Sequence, residues 1–202
     1  MNLRTEFLEA MSRGATFVTV ATTDGEGGRY GVTISSLTPV SADGEQPSLL
    51  GCIHHLSPAV PAILKNRAFC ANLLAEDQEA LSDRFAGRGA PGDHSGRFDA
   101  TDWTPGPNGQ PMIAGATAAF ECRLATALLW ETHYIIVGRV THVRRSDNPA
   151  ALLYGQRAYR RAVGLKGEQI AAAQGHQLML IPGRPAALLK WTRESMKAFP
   201  AA

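Results

Sequence analysis

The sequence predicts a mainly β protein with peripheral helices, folded as a closed or split antiparallel barrel. Short runs rich in β-branched residues, such as TFVTVATT and YGVTISSLTPV, recur along the chain. The helical segments do not alternate with these runs, as they would around a parallel sheet. No GxGxxG turn follows a strand and no Walker A motif is present, so any nucleotide would have to bind through a different kind of site.

The N-terminal third predicts a short amphipathic helix followed by a hairpin and a third strand. The apolar residues of the helix recur at helical spacing and are Leu3, Phe7, Leu8 and Met11. Gly14 follows as the expected C-cap. Two β-favouring runs flank the Gly-rich turn 24–28, which predicts a hairpin, and SLLGCIHH at 48–55 is the third strand.

The middle of the chain predicts a helix, a strand and a second helix. Ser57 stands directly before Pro58, which is the N-cap and first-position pairing that opens a helix. FCANLL is a fourth strand, and residues 76–87 form a helix with acidic residues in its first turn. Residues 87–111 are rich in Gly, Pro, Asp and Arg, and long irregular loops of this kind are often functional.

The C-terminal half predicts two more strands and a last helix. Residues 116–126 and 128–143 read as strands that pair across a turn at Thr126 to Leu129. Residues 167–175 are a helix candidate, and an apolar tail follows it. Because no repeat or linker interrupts the chain, one domain is the expected organisation.

Composition excludes several classes of protein. The net charge is +2 with mixed signs, which predicts no nucleic-acid partner. The Arg-rich segment 139–161 is either a solvated strand and turn or a patch for a phosphate or dinucleotide. No apolar run reaches the roughly 18 residues of a membrane span, and residues 1–15 lack a signal-peptide core. The cysteines are odd in number, lack CxxC spacing and lie in apolar runs; they are Cys52, Cys70 and Cys122. These features predict a soluble, cytoplasmic protein with unpaired thiols.

The strand GVTISS carries the first candidate site. Alternation places Thr33 and Ser35 on one face of this strand, and Ile34 and Ser36 on the other. A line of hydroxyls beside free backbone groups suits a flat polar heterocycle. The alternative is a strand whose Ser and Thr side chains face solvent.

Four further residues allow two interpretations each. Ser57 at a helix start suits a phosphate, or is an ordinary N-cap. Asn72 in an apolar strand needs a polar partner, which is either a neighbour or a ligand. Arg84 and Phe85 place a cation and an aromatic edge beside a cofactor, or are a helix-end charge and a core ring.

Histidines supply the candidate for acid–base chemistry. His133 is expected in mid-strand with Glu131 on the same face, so it is a tuned acid, base or cation, or simply a satisfied polar residue. His54, His55 and His94 share no ligand spacing with cysteines or paired carboxylates, so no metal site is expected.

The order of these motifs resembles the flavin reductase-like family, which supplies reduced flavin to two-component monooxygenases. The resemblance rests on six segments in register between about residues 5 and 162. They are EFLEAMSRGATFVTVATT, YGVTISSLTPVS, the strand before LSPAVPAIL, FCANLLAEDQEALSDRFAGRG, DWTPGPNGQPMIAGATAAFECRL and LLYGQRAYRR.

The resemblance implies an antiparallel, Greek-key FMN-binding split β-barrel and a homodimer. It implies FMN or FAD held without a covalent bond near the subunit interface, and NADH or NADPH as the hydride donor. His133 is the implied catalytic residue. The implied cofactor-binding residues are Thr33, Ile34, Ser35, Ser36, Cys52, His54, Ser57, Asn72, Arg84, Phe85, Tyr154, Arg157 and Tyr159. A partner monooxygenase would receive the reduced flavin.

Three departures from the family pattern lie where nicotinamide and flavin ring should meet. Glu131-Thr132-His133 stands in place of Gly-Asp-His, Ile53-His54-His55-Leu56 in place of an Asn–Ser turn, and Tyr154-Gly155-Gln156-Arg157 in place of Tyr-His-Arg-Gly. A Gly92-Asp93-His94 triplet falls in the irregular loop, so it is not expected to be the counterpart of the family's Gly-Asp-His motif.

These departures leave two alternatives to a flavin reductase open. One is a split-barrel enzyme that retains flavin as a prosthetic group and acts on a small organic substrate. The other is a non-catalytic carrier of flavin or haem. The expected organisation is a split-barrel domain at 1–162 with a C-terminal extension at 163–202 packed on it.

Overall fold

The computed structural model describes residues 2–87 and 96–164. The strands in these ranges are β1 Thr16–Phe17, β2 Thr19–Thr23, β3 Tyr30–Ile34, β4 Thr38–Ser41, β5 Ser48–His54, β6 Ala68–Leu73, β7 Trp103–Pro105, β8 Pro111–Ile113, β9 Ala118–Trp130, β10 His133–Arg145, β11 Leu152–Gly155 and β12 Ala158–Arg161. The helices are α1 Leu3–Ser12, α2 Ala59–Asn66, α3 Glu79–Phe85 and α4 Gly96–Asp99.

A seven-stranded antiparallel sheet forms the barrel. Its strand order is β3-β2-β6-β9-β10-β5-β4, so the two edge regions both come from the N-terminal third of the chain. Ile34 of β3 packs so closely over Gly51 of β5 that a Cβ on Gly51 would lie 2.8 Å from the Ile34 Cδ1. The sheet therefore curls until β3 meets β5 without pairing with it, and the predicted mainly β split barrel is confirmed.

The long hairpin β9–β10 corrects one sequence prediction. The turn expected at Thr126 to Leu129 is wrong, because β9 continues through these residues to Trp130. The chain turns instead at Glu131 and Thr132, and Glu131 has a positive φ of 50°. His133 is accordingly the first residue of β10 rather than a mid-strand residue. The segment lacks the Gly, Asn or Pro that would have marked this turn.

Two apolar clusters stabilise the fold. The barrel interior holds Ala21, Leu49, Ile53, Ile63, Phe69, Leu124 and Ile136, with α2 closing one end. A second cluster lies outside the barrel, beneath α3, α4, the β7–β8 hairpin and the small sheet β1-β11-β12. Its members include Val18, Val20, Leu74, Phe85, Phe98, Ile113 and Leu152. Cys70 and Cys122 are buried, as expected, whereas Cys52 is half-buried.

The predicted helices at 3–11, 57–66 and 76–87 are all present with adjusted ends. α1 ends at Arg13 in right-handed conformation, so Gly14 is not its C-cap. α2 begins one residue later than expected, with Pro58 rather than Ser57 as its N-cap. No helix in the described ranges is long and apolar enough to cross a membrane.

The chain divides into two units, residues 1–163 and 164–202. The helix candidate at 167–175 and the Gly92-Asp93-His94 triplet lie outside the described residues. Nearly all of the expected extension 163–202 lies outside them too, so its packing stays a prediction.

Candidate active site

A cleft of about 170 Å³ opens where β3 ends beside α3. Its walls come from four separate parts of the chain. They are Val18, Thr33, Ile34, Ser35, Ser82, Ala86, Tyr154 and Tyr159. Five of these residues were implied by the family resemblance; they are Thr33, Ile34, Ser35, Tyr154 and Tyr159. Ile34, which alternation placed on the face opposite Thr33 and Ser35, lines the same cleft, because β3 ends at Ile34 and the chain bends at Ser35.

Hydrogen bonds around Ser82 hold the walls of the cleft together. The Thr33 hydroxyl donates to the Ser82 carbonyl at 2.7 Å, which joins β3 to α3. The Tyr159 phenol oxygen lies 2.9 Å from the Ser82 hydroxyl and 2.6 Å from the Asp83 carboxylate, which joins β12 to the same helix. The ring of Tyr154 meets that of Tyr159 edge-on, with centroids 5.5 Å apart. The cleft therefore combines preorganised hydroxyls with aromatic surface.

Ser82, Ala86 and Val18 line the cleft but were missed by the sequence analysis. Ser82 lies three residues before Phe85 on the same face of α3, and both are buried. That spacing was a signal that the face of α3 turned towards the strands carries a polar group. Val18 carries no such signal, because nothing distinguishes it from the other Val and Thr residues of the run TFVTVATT.

Phe85 supports the cleft from below and does not line it. It is 1% exposed and packs edge-on against Phe98, with ring centroids 5.2 Å apart. The backbone of Gly31 lies on this ring, and a Cβ there would approach Phe85 to 2.5 Å. The structure thus places Phe85 as a core ring, which is the second of its two interpretations.

Ser36 connects the cleft to β5. Its hydroxyl accepts the backbone N–H of Cys52 at 2.8 Å and donates to the carbonyl of the same residue at 3.1 Å. Ser36 and Cys52 therefore belong to the seam of the split barrel. His54 lies two residues beyond Cys52 and so shares its strand face.

Three strands present one face away from the barrel interior, here called the outer face. Because paired residues share a face and alternate along each strand, its members follow from the register. They are Leu50, Cys52 and His54 of β5, His133, Ile135 and Val137 of β10, and Thr126, Leu128 and Trp130 of β9. His54, His133 and Trp130 form the row at the end of this face.

His133 is exposed at this end row and contacts two neighbours. Its Nδ1 lies 3.0 Å from the Thr132 hydroxyl. Its ring meets that of His54 edge-on, with centroids 5.0 Å apart. The expected pairing with Glu131 across one strand face is wrong, because Glu131 lies in the hairpin turn.

Other predicted site residues use their polar atoms within the protein. Asn72 is fully buried: its amide donates to the Val20 carbonyl at 3.1 Å and its oxygen accepts from Ile113 N–H at 2.8 Å. A neighbour, not a ligand, is therefore its partner. Arg84 donates to the carbonyl of Ala100 and to the Thr101 hydroxyl, so it is a helix-end cation that holds the next segment.

Ser57 and Arg157 also lie away from the walls of the cleft. Ser57 donates its backbone N–H to the His54 carbonyl at 2.9 Å, in the turn that leads into α2. Arg157 has a positive φ of 59° in the β11–β12 turn and pairs with Glu9 of α1 at 3.2 Å.

Fold and cleft together define a split-barrel protein with a cleft lined by hydroxyl and aromatic side chains. Residues 11–162 match the family described as flavin reductase like domain. The chain therefore belongs to that family.

Curated relatives cover most of the chain. It is 36% identical over 157 residues to the FMN reductase (NADH) RutF of Stutzerimonas stutzeri, covering 78% of this chain and 87% of that one. It is 39% identical over 154 residues to RutF 2 of Methylorubrum extorquens strain PA1, covering 76% and 87%.

Solved structures agree with this assignment. A putative flavin reductase from Haemophilus somnus has a TM-score of 0.73 and 31% identity, covering 80% of this chain and 100% of that one. BorF, the flavin reductase component of a bacterial two-component tryptophan halogenase, has a TM-score of 0.70 and 32% identity, covering 78% and 97%.

Proposed function

We propose that the protein is an NAD(P)H:flavin oxidoreductase that reduces FMN or FAD and releases the product to a partner monooxygenase. The observation that carries this proposal is the cleft at the end of the TISS strand, in a chain that matches flavin reductases from residue 11 to 162. Bound flavin would supply the electron-accepting ring for a hydride, and the protein would supply position and electrostatics.

The residues lining the cleft suit this cofactor. Ser35 is exposed, and its hydroxyl can both donate and accept. The Thr33 hydroxyl donates its hydrogen bond to the Ser82 carbonyl and can still accept one. Tyr154 and Tyr159 add apolar ring surface for a flat heterocycle. We assign these four residues, with Ile34 and Ser36 beside them, to the flavin site. Ser57 at the start of α2 is assigned to a phosphate, because the first N–H groups of a helix attract anions.

We assign His133 to the nicotinamide. Its ring stands at the end of the outer face, directly opposite His54 of β5. His54 lies two positions beyond Cys52, the residue that Ser36 joins to the end of β3. An imidazole held by the Thr132 hydroxyl can donate to an amide or phosphate oxygen of the dinucleotide and so fix the reacting ring. We do not assign side-chain contacts with flavin to Asn72 or Phe85, since both are buried among protein groups.

We also infer a homodimer built on the outer face, with the end row of His54, His133 and Trp130 at the rim of the interface, where a dinucleotide can still reach His133. Trp130 is 68% exposed and Leu128 is 56% exposed, and both share this face with half-buried Ile135 and Val137. Exposed aromatic and aliphatic side chains on one continuous face are typical of protein interfaces. The described residues give the cleft about 170 Å³, below the roughly 300 Å³ of a usual ligand pocket, and this size is consistent with further walls supplied by a second subunit.

A second apolar groove offers the rival interface. It measures about 340 Å³ and is lined by residues that include Phe17, Leu37, Pro39, Leu49, Phe120 and Val143. Trp130→Glu should convert the dimer to a monomer in analytical ultracentrifugation, whereas Val143→Glu should leave it dimeric. The reverse pattern would place the interface at the groove.

The location we infer is cytoplasmic. All three cysteines are free thiols, which suits a reducing compartment.

The activity test is oxidation of NADH and NADPH, followed at the nicotinamide absorbance band with FMN or FAD added. Turnover with at least one pair supports the reductase, and none with any pair contradicts it. Flavin that leaves the protein on dialysis supports release to a partner, whereas retained flavin with poor NADH oxidation favours a bound prosthetic group. A haem spectrum of the purified protein would overturn both.

His133→Ala tests the assigned catalytic residue. We expect flavin affinity to change little and hydride transfer to fall by about 10- to 100-fold, because only dinucleotide positioning is lost. His142→Ala is the matched control, since His142 is also exposed on β10. An equal loss of flavin binding and hydride transfer would make His133 a structural residue.

A further inference from the structure

Three imidazoles meet at the end of the outer face. His54 is the last residue of β5 and lies directly opposite His133, the first residue of β10. The His54 ring contacts His133 edge-on at 5.0 Å and His55 edge-on at 4.9 Å, with interplanar angles of 80° and 86°. No ring contact between His55 and His133 occurs among the described residues, so His54 is the central ring of the three.

The backbone fixes the orientation of His54. Its Nδ1 accepts the N–H of Leu56 at 3.2 Å, which requires an unprotonated Nδ1 and leaves the ring proton on Nε2 in the neutral form. The turn that carries Leu56 is itself held, because Ser57 N–H donates to the His54 carbonyl and His55 N–H donates to the Thr132 carbonyl, both at 2.9 Å. The plane of the His54 ring is therefore set by its own turn and by the hairpin that carries His133.

We propose that His54 is a positioning residue that orients the ring of His133 for the nicotinamide. This inference rests on the proposed function. His133 is exposed, and among the described residues its Nδ1 meets the Thr132 hydroxyl and its ring meets that of His54 edge-on. The hydroxyl holds one atom of the ring, and the contact with His54 restricts the side-chain rotation that is left. Fixed orientation of a group that holds a reactant raises the rate of the step without changing the affinity for the other cofactor.

Substitutions at His54 separate the ring contact from the backbone cap. His54→Ala removes both, His54→Asn keeps an acceptor near the Nδ1 position without a ring, and His54→Phe keeps a ring edge without the acceptor. We expect the Ala and Asn variants to lose about five- to tenfold in kcat with unchanged flavin Kd. The Phe variant keeps the ring edge but loses the Leu56 bond that orients it, so we expect it to lose less than the Ala and Asn variants, by about two- to fivefold. His55→Ala is the matched control and should leave kcat unchanged.

The double variant distinguishes the two proposals. If His54 acts through His133, then His54→Ala should have no further effect on kcat in a His133→Ala background. Additive losses, or full activity of His54→Ala beside an impaired His133→Ala, would overturn the positioning role alone. Full activity of His133→Ala would instead overturn the assigned role of His133, and with it the basis of this inference.

Discussion

Ser36 and Cys52 are joined twice, because the Ser36 hydroxyl accepts the Cys52 N–H at 2.8 Å and donates to the Cys52 carbonyl at 3.1 Å. This pair closes the gap between β3 and β5, which pack together but do not pair. The end of β3 lines the cleft, and β5 continues to His54, beside His133. One side chain thus links the proposed flavin-binding strand to the proposed nicotinamide-binding histidines.

Ser36→Ala should therefore destabilise the protein and the site together. Removal of the hydroxyl leaves the Cys52 N–H and carbonyl without this partner in a half-buried seam, and we expect a loss of about 1–3 kcal/mol in the free energy of unfolding. Urea denaturation measures this value. Ser35→Ala is the control: Ser35 is exposed, so its loss should change stability by less than about 0.5 kcal/mol while weakening flavin binding. Equal stability of the two variants would contradict the bridging role of Ser36.

Much of the fold and part of the cleft could be predicted because their signals are local, whereas Tyr154 and Tyr159 followed only from the family resemblance. The alternation of Thr33 and Ser35 is a property of one strand, and both hydroxyls do line the cleft. The β9–β10 turn was misplaced because Glu131 and Thr132 carry none of the usual turn signals, and the cross-strand register rather than local composition fixes the turn.

The polar partner of Asn72 could not be predicted, because the choice between neighbour and ligand depends on tertiary structure. Val20 and Ile113, which satisfy its amide, come from β2 and from a hairpin 41 residues further along the chain. The same holds for Tyr159, whose phenol reaches Asp83 across 76 residues of sequence. Single-sequence patterns contain no information on which distant segments become neighbours.

Gly31→Ala should disturb the cleft from beneath. The new Cβ would lie 2.5 Å from Phe85, a 1% exposed ring that cannot move without shifting α3. Such overpacking costs about 1–3 kcal/mol, and displacement of α3 should also break the Thr33–Ser82 bond and weaken flavin binding. Thermal denaturation and flavin titration measure the two effects. Gly44→Ala is the control, because its nearest neighbour would lie 3.8 Å away; similar behaviour of the two variants would argue against the close packing.

Glu121→Gln should weaken the β7–β8 hairpin. The Glu121 carboxylate is fully buried and accepts the backbone N–H groups of Asn108 and Gln110, both at 3.0 Å, together with the Asn108 side-chain amide at 3.0 Å. Glutamine replaces one acceptor oxygen with an NH₂ group that faces the N–H donors of Asn108 and Gln110. We expect this to lower the free energy of unfolding by about 2–3 kcal/mol. Denaturant unfolding provides the measurement. Glu131→Gln, in the exposed turn, should change nothing, and a neutral Glu121→Gln would show that the hairpin does not depend on this carboxylate.

Buried thiols should make the protein lose stability at alkaline pH. Burial, followed by the negative charge of Glu121, raises the pKa of Cys122 to about 12, and burial likewise raises the pKa of Cys70 above its ordinary value. An unfolded thiol titrates near 9.0, so the folded state holds its protons longer than the unfolded state. The contribution of Cys122 to the free energy of unfolding is therefore complete below pH 9. It falls as the pH rises from 9 towards 12, by up to about 1.4 kcal/mol per pH unit. Urea unfolding between pH 8 and 10.5 should show this slope in the native protein and in Cys52→Ala, and a shallower slope in Cys122→Ala. Identical slopes in all three proteins would mean that the Cys122 thiol does not control alkaline stability.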